Sequence, residues 1–513
     1  MKKYILIFTI TVISQFSLAQ NDIIPEIKTQ KGFAKINFLS INMPETSIVN
    51  EANMGFTGIH YNLMLNDWAY AGVGIYGAVS GERGGFFTLG INAGIKKHIT
   101  DRFYTDAGFH FGGGGGASAP DGGGAFILPH FNLGYDFNTF SINSGWSYVD
   151  FFDGGEIKGH QLNIGIEIPL DYDHANYNSS ESEYDFDELK KSDWNIPTKR
   201  NSLMFHANNL KIKGNTQQSS GVKYNGETIR LAGFEFASYL TENWFAFVKV
   251  DGAYDGIKAG YMDVFLGGGY HYAFNKNRTN IIAKFGVGAG GGGGIDTKGG
   301  FLIYPDISIE QKLFNDLFIA INTGYVMSTN SDVFTSSYGI GLKYYVERSG
   351  IISNKNIFSK GIFKGLNVIV KQDVYINADR DAISAENMHQ ISLQVNLDIN
   401  KNLYVAGQTS FANFGNAGAY AEGIVGLGAK TNPILNDKAT LFVQTLAGAA
   451  GGGGISTGEG LIVKPSAGLN YQINNNLGIR SAVGFVKAKG GNLSSPFVNF
   501  GINYHLAFLK MNK

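Results

Sequence analysis

The sequence predicts an all-β fold: a transmembrane antiparallel β-barrel of about 24 strands in three internal repeats of about eight. Three observations carry this. A glycine-rich stretch ending in proline occurs three times at matched offsets. Between these marks the chain alternates apolar with small or polar residues at a period of two. The turns that interrupt the alternation are tight on one side and long on the other.

The repeat is registered by Pro129, Pro305 and Pro465, which follow the glycine runs marked by Gly114, Gly292 and Gly452 and lie 176 and 160 residues apart. The same offsets relate three further segments, NIGIEIPL, GIGLKYYV and NFGINYHL, starting at Asn163, Gly339 and Asn499. Two landmarks with shared spacing define three units, 30–172, 200–348 and 364–510, joined by connectors at 173–199 and 349–363. Solenoids and propellers repeat every ~20–50 residues, so each unit here is a multi-strand structure of its own. The polar connectors read as exposed. The acidic run 181–188 lacks the glycine and spacing of a calcium loop and reads as part of a solvated connector.

The strands show the period-two signature. In one, Phe87, Leu89, Ile91, Ala93 and Ile95 point one way, and Thr88, Gly90, Asn92, Gly94, Lys96 and His98 the other. Such segments average about a dozen residues, near the ~9–11 tilted residues that cross a bilayer. Turns such as Asn66-Asp67, Thr100-Asp101, Asn138-Thr139, Thr241-Glu242-Asn243 and Asn400-Lys401-Asn402 are tight. Those at 42–53, 151–157, 214–226 and 329–335 are longer, the asymmetry of an outer-membrane barrel.

Composition agrees. Charged residues are 16%, glycine numbers 70 and aromatics are 13%, against about 25% charged in soluble domains. The mean hydropathy of −0.06 is far from that of a helical membrane protein. The net charge of −1 suggests no nucleic-acid partner. The absence of cysteine excludes disulfides and thiolate chemistry. Residues 1–19 read as a signal peptide: Lys2 and Lys3, an apolar centre too short to span, and Ser17-Leu18-Ala19 as the cleavage site.

Two closures are possible. A single large barrel is favoured, because tandem barrels in one chain are a rare design. Three tandem eight-stranded barrels are the alternative, which the connectors and the tyrosine- and glycine-rich inward rows favour. Pairing of 33–41 with 158–169 or with 498–508 decides between them.

The inward rows supply the candidate lumen residues: Thr88, Lys96, His110, His130, Asp263, His271, Glu422 and Lys430. Thr88, Asp263 and Glu422 align across the units, as do Lys96, His271 and Lys430. In a pore these groups tune ion preference; in a filled barrel they pair with one another. His110 and His130 occur in one unit only and read as hydrogen-bonding groups. No metal or cofactor is expected, and no nucleophile or zinc-protease motif suggests an enzyme. The glycine runs are read as hairpin tips on the long-loop side. The prolines after them, on the apolar row, are expected to mark bulges.

The final strand carries Asn499-x-Gly501-x-x-Tyr504-x-Leu506, with Phe508 two residues on. In this the chain resembles outer-membrane β-barrel proteins of Gram-negative bacteria, whose closing strands tend to show such a pattern. It departs from many of them in continuing for five residues after Phe508. The resemblance implies residence in the outer membrane, contact with its lipid and recognition by the barrel-insertion machinery. It leaves a pore or transport conduit for an unidentified solute as the expected function. The alternative is a filled structural barrel that holds a protein partner. A barrel-embedded lipid-modifying enzyme is the least favoured, for want of a rim cluster.

Overall fold

The computed structural model describes residues 24–513 apart from 46, 47, 49, 225, 257, 258 and 355. The signal-like segment 1–19 lies outside the described residues. The fold is all-β and antiparallel, with strands of 10–19 residues in its walls.

The expectation of one large barrel is overturned. The strand Gly32–Ile41 pairs with Lys158–Pro169, from Phe33 opposite Pro169 to Leu39 opposite Asn163. Eight strands thereby close into barrel 1. Lys199–Lys213 pairs along its length with Phe334–Arg348 and closes barrel 2. Lys360–Ala378 pairs with Ser494–Asn512 and closes barrel 3. Barrels 2 and 3 share one ladder pair, Arg348 with Lys510. The physical reason lies in the inward rows: an eight-stranded wall encloses a space that side chains can fill. Large residues such as Tyr104, Tyr304, Tyr375 and Arg480 are fully buried there.

The tight turns are held by side chains. The Asn66 carboxamide oxygen accepts from the backbone N–H groups of Trp68 and Ala69. Asn400 does the same for Asn402 and Leu403, and the Thr241 hydroxyl for Asn243 and Trp244. Exposed aromatics gather beside these turns, among them Trp68, Phe103, Trp244 and Phe314, as at the interfacial girdle of a membrane barrel. Between the girdle and the long loops the outward rows stay exposed and apolar: Leu162, Ile321, Leu427 and Ile502 are each 60–77% exposed.

Some outward residues are buried because the barrels pack on one another. The third strand of barrel 1 (Ala69–Ser80) lies against the fifth of barrel 2 (Thr279–Gly291). The third of barrel 2 (Trp244–Asp255) lies against the fifth of barrel 3 (Ala439–Gly451), and the third of barrel 3 (Leu403–Phe414) against the fifth of barrel 1 (Phe103–Gly115). The contact is head-to-tail and closes after three steps, as in a cyclic trimer. Phe87, Leu89, Val264, Ala289 and Phe411 form one apolar cluster drawn from all three barrels.

The glycine hairpins cement this ring. The backbone N–H of Gly84 in barrel 1 donates to Lys298 O in the barrel 2 hairpin. A Cβ on Gly85 would strike the backbone nitrogen of Gly292. In the next step, a Cβ on Gly451 would sit 2.6 Å from the nitrogen of Gly260. In the last, Gly418 N–H donates to Gly122 O. Small residues let backbones approach in this way at the long-loop ends of the barrels, where a side chain would hold them apart. The expected bulge at the prolines is absent. Toward the following strand the ladder skips the proline and one neighbour, and the register resumes unshifted: Ile127 pairs with Asp150 and His130 with Ser147, a gap repeated in the other barrels. A missing N–H removes pairs there but inserts no residue.

The connector between barrels 1 and 2 is not a solvated linker. Ala175, Leu189 and Trp194 are fully buried with Phe363, Ala507 and Leu509, at the short-turn mouth of barrel 3. Glu181 pairs with Lys364 and Glu183 with Lys360, so the acidic run is docked by lysines of the first strand of that barrel.

Candidate functional site: the three filled lumens

Each lumen combines an ionic layer with an apolar plug. Toward the long-loop end, barrel 1 is filled by residues such as Phe56, Phe86, Phe126 and Phe151. Barrel 2 is filled by Tyr261, Phe265 and Tyr304, and barrel 3 by Tyr375, Tyr420 and Phe497. Below these plugs lie the charges.

In barrel 1 the Lys35 ammonium stands 2.9 Å from Asp106 and 3.4 Å from Glu167. Lys96 reaches Glu167 at 2.6 Å, and the Tyr70 hydroxyl donates to Asp106 at 2.7 Å. In barrel 2, Lys284 lies 2.7 Å from Glu235 and 3.3 Å from Asp306. Lys249 pairs with Asp251 and lies 3.6 Å from Asp263. Lys343 holds Glu310 at 2.9 Å. In barrel 3, Lys464 lies 2.7 Å from Glu422 and 3.0 Å from Asp373. Every barrel therefore contains a buried lysine between two carboxylates. Lys371, also buried, lies 3.5 Å from the second oxygen of Asp373, and one oxygen of Glu235 has no hydrogen-bond donor.

The residues singled out from the sequence lie in these lumens. Thr88, His110, Asp263, His271 and Glu422 are buried. His110 bonds Asn92 at 2.6 Å. The His130 ring lies 3.3 Å from Asp106, while His271 bonds the Tyr239 hydroxyl at 2.7 Å. Lys430 pairs with Asp398 at 2.7 Å and also meets the hydroxyl of Tyr177, from the connector. Among the described residues no group of three His, Asp or Glu is placed to hold a metal ion. The aligned positions Thr88, Asp263 and Glu422 come with matched neighbours. Tyr261 and Tyr420, two residues before each acid, each donate a hydroxyl to it at 3.3 Å. At the corresponding place before Thr88 stands Phe86, which has no hydroxyl to give.

Sequence reasoning missed the lysines that matter most, Lys35, Lys284 and Lys464. They occupy the first, fifth and sixth strands of their barrels, so alignment of the repeats does not superimpose them. Their only signal is an isolated positive charge in an inward row.

At the last strand, Asn499, Gly501, Tyr504, Leu506 and Phe508 lie in the ladder that closes barrel 3. The residues after Phe508 continue that ladder, Leu509 opposite Phe363 and Asn512 opposite Lys360.

No family model matches the sequence, and no curated protein matches it. Among solved structures the chain is similar to OpdQ of Pseudomonas aeruginosa, at 8% identity over 94% of this chain and 98% of that one, TM-score 0.21. It is similar to a variant of the ferric enterobactin receptor PfeA of the same species, at 9% over 93% and 80%, TM-score 0.27. It is also similar to the FrpB iron transporter from Neisseria meningitidis, at 9% over 93% and 82%, TM-score 0.29. At that identity and overlap, the residues of this chain carry the functional argument. In hydrocarbon every backbone polar group must be paired internally, which closed barrels achieve. A closed wall with apolar residues outside and charges inside is built for the outer membrane, and this chain is an outer-membrane β-barrel protein.

Proposed function

We propose that the protein is an outer-membrane conduit for small ions, held shut in the conformation described. The observation that supports this is the lysine set between two carboxylates in each lumen. Ionisable groups inside a membrane-spanning structure mark ion pathways by default. Each lysine bridges its two carboxylates at once, so displacing its ammonium would leave both acids facing the lumen and change the field an ion meets. Extended solutes do not fit past the aromatic plugs. The reading assigns the chain no catalytic chemistry, and takes the pattern from Asn499 to Phe508 as the feature the insertion machinery reads.

A second reading is favoured by the plugs themselves: three filled barrels that anchor loops or a protein partner and conduct nothing. Single-channel recording of the purified protein in a planar bilayer separates the two. The conduit reading expects rare, small openings from the natural protein. It expects more frequent, cation-selective openings from Lys464→Met, which removes the cation that Asp373 and Glu422 share in the lumen of barrel 3. Silence from both proteins overturns it and leaves the anchoring reading.

A further inference from the structure

Between barrels 2 and 3, beside the first, lies an open-sided cleft with a cavity volume of about 90 Å³. Its walls are outward faces: Phe234, Val250 and Met262 from barrel 2, Phe411 and Val425 from barrel 3, and Phe87 from barrel 1. Two acids on the strands along it, Asp251 and Glu422, turn their carboxylates into the lumens, where they bond Lys249 and Lys464. The cleft therefore presents no side-chain charge.

Its ends differ. At the long-loop end it is closed by the three-barrel apolar cluster and by the close approach of Gly260 to the glycine hairpin of barrel 3. Toward the short turns the same faces continue as exposed apolar residues, Phe236 on one side and Leu427 on the other, at the depth of the membrane's hydrocarbon. The walls stand apart here. A Cβ on Gly423, which lines the cleft, would meet nothing within 4 Å, whereas one on Gly451, at the closed end, would strike the backbone of Gly260. Water gains no partners in an apolar space of this kind, and protein does not fill it.

We infer that this cleft is a binding site for one hydrocarbon chain of a membrane lipid, entering from the leaflet on the short-turn side and ending beneath the glycine hairpins. The occupant follows from continuity: the cleft is a closed-ended extension of the lipid-facing surface, without charge for a headgroup. The bound chain completes the packing among the three barrels. The site lies outside the lumens, so it stands or falls independently of conduction.

The test is native mass spectrometry of the full-length protein, purified in detergent from cells and from reconstitution into phosphatidylethanolamine vesicles. One lipid per chain is expected to persist through detergent exchange in the natural protein. Gly423→Phe, which places a ring in the open space, is expected to lower its occupancy at least tenfold. Leu162→Phe, on the far lipid-exposed surface of barrel 1, is expected to leave it unchanged. Retention of heat-modifiable mobility on gels shows that each variant is folded. No retained lipid in the natural protein, detergent alone in the cleft, or equal retention by Gly423→Phe overturns the inference.

Discussion

At the residue scale the chain is governed by how charge is kept inside a membrane. Lys464 stands between Asp373 and Glu422, and all three are buried. Removing one member of a buried ionic group leaves an unpaired charge, at a cost of about 3–5 kcal/mol, whereas replacing the whole group is often neutral. Lys464→Met is accordingly expected to lower stability toward urea in detergent by that amount. The quadruple variant that adds Lys371→Met, Asp373→Asn and Glu422→Gln is expected to recover most of it, since Lys371 also pairs with Asp373 at 3.5 Å. Asp121 offers a second prediction, outside the membrane-spanning strands, in the loop of the first glycine hairpin. Burial pushes its carboxyl up to about 7, although the N–H of Gly116 and the nearby Arg83 pull the other way. The unfolded value is about 3.9, so between these values the folded state binds more protons than the unfolded one. Stability from this group is full below about pH 4, falls as pH rises to about 7, and is level above. Thermal unfolding at pH 5 and pH 8 is expected to show the lower midpoint at pH 8, and Asp121→Asn to narrow the difference.

At the element scale, turns and strands could be read directly because their causes are local. A tight turn needs a side-chain oxygen at its first position, and Asn66, Thr241 and Asn400 supply it. A membrane strand needs alternation, and the row from Phe87 to His98 has it. What could not be read depends on residues distant in the chain. Nothing in the polar run from 171 to 199 says that Trp194 is buried, because its neighbours Phe363 and Leu509 arrive from barrel 3. The lysine positions were obscured for a related reason, since each barrel places its central charge on a different strand. The docked connector yields its own test. Trp194 stacks edge-on to Phe363 at 5.2 Å and donates its indole N–H to Pro25 O. Truncating a buried aromatic of this kind costs about 3–5 kcal/mol. Trp194→Ala is expected to lower stability by that amount. It is also expected to expose 171–199 to protease while the walls of barrel 3 stay resistant, as limited proteolysis with mass mapping would show.

At the scale of the whole molecule, triplication explains why closure was hard to foresee. Each unit ends with a closing strand, so pairing with its own first strand and pairing with the next unit satisfy the same local pattern. The decision falls to the interior, where side chains fill three narrow lumens but would leave one wide one empty. The ring then makes a demand that a single barrel does not. Gly113 in barrel 1 must meet Asn413 in barrel 3: a Cβ built on the glycine lies 2.7 Å from the asparagine Cβ. In a single wall of consecutive strands, these positions would stand many strands apart, beyond the ~3.5–4.5 Å between Cβ atoms that a disulfide spans. Because the chain has no cysteine, Gly113→Cys with Asn413→Cys can be tested without background. Once the two walls part by about 1 Å to reach that span, the pair is expected to cross-link on mild oxidation in intact cells, giving a faster band on non-reducing gels. Gly252→Cys with Ala449→Cys, whose Cβ positions lie 2.9 Å apart between barrels 2 and 3, is expected to do the same. Gly113→Cys with Ala449→Cys brings no such neighbours together and serves as the mismatched control. Cross-linking of the 252–449 pair without the 113–413 pair would mean that barrels 2 and 3 associate but the ring stays open. The glycine hairpin of barrel 1 would then have lost the contact with Gly418 that its small residues accommodate.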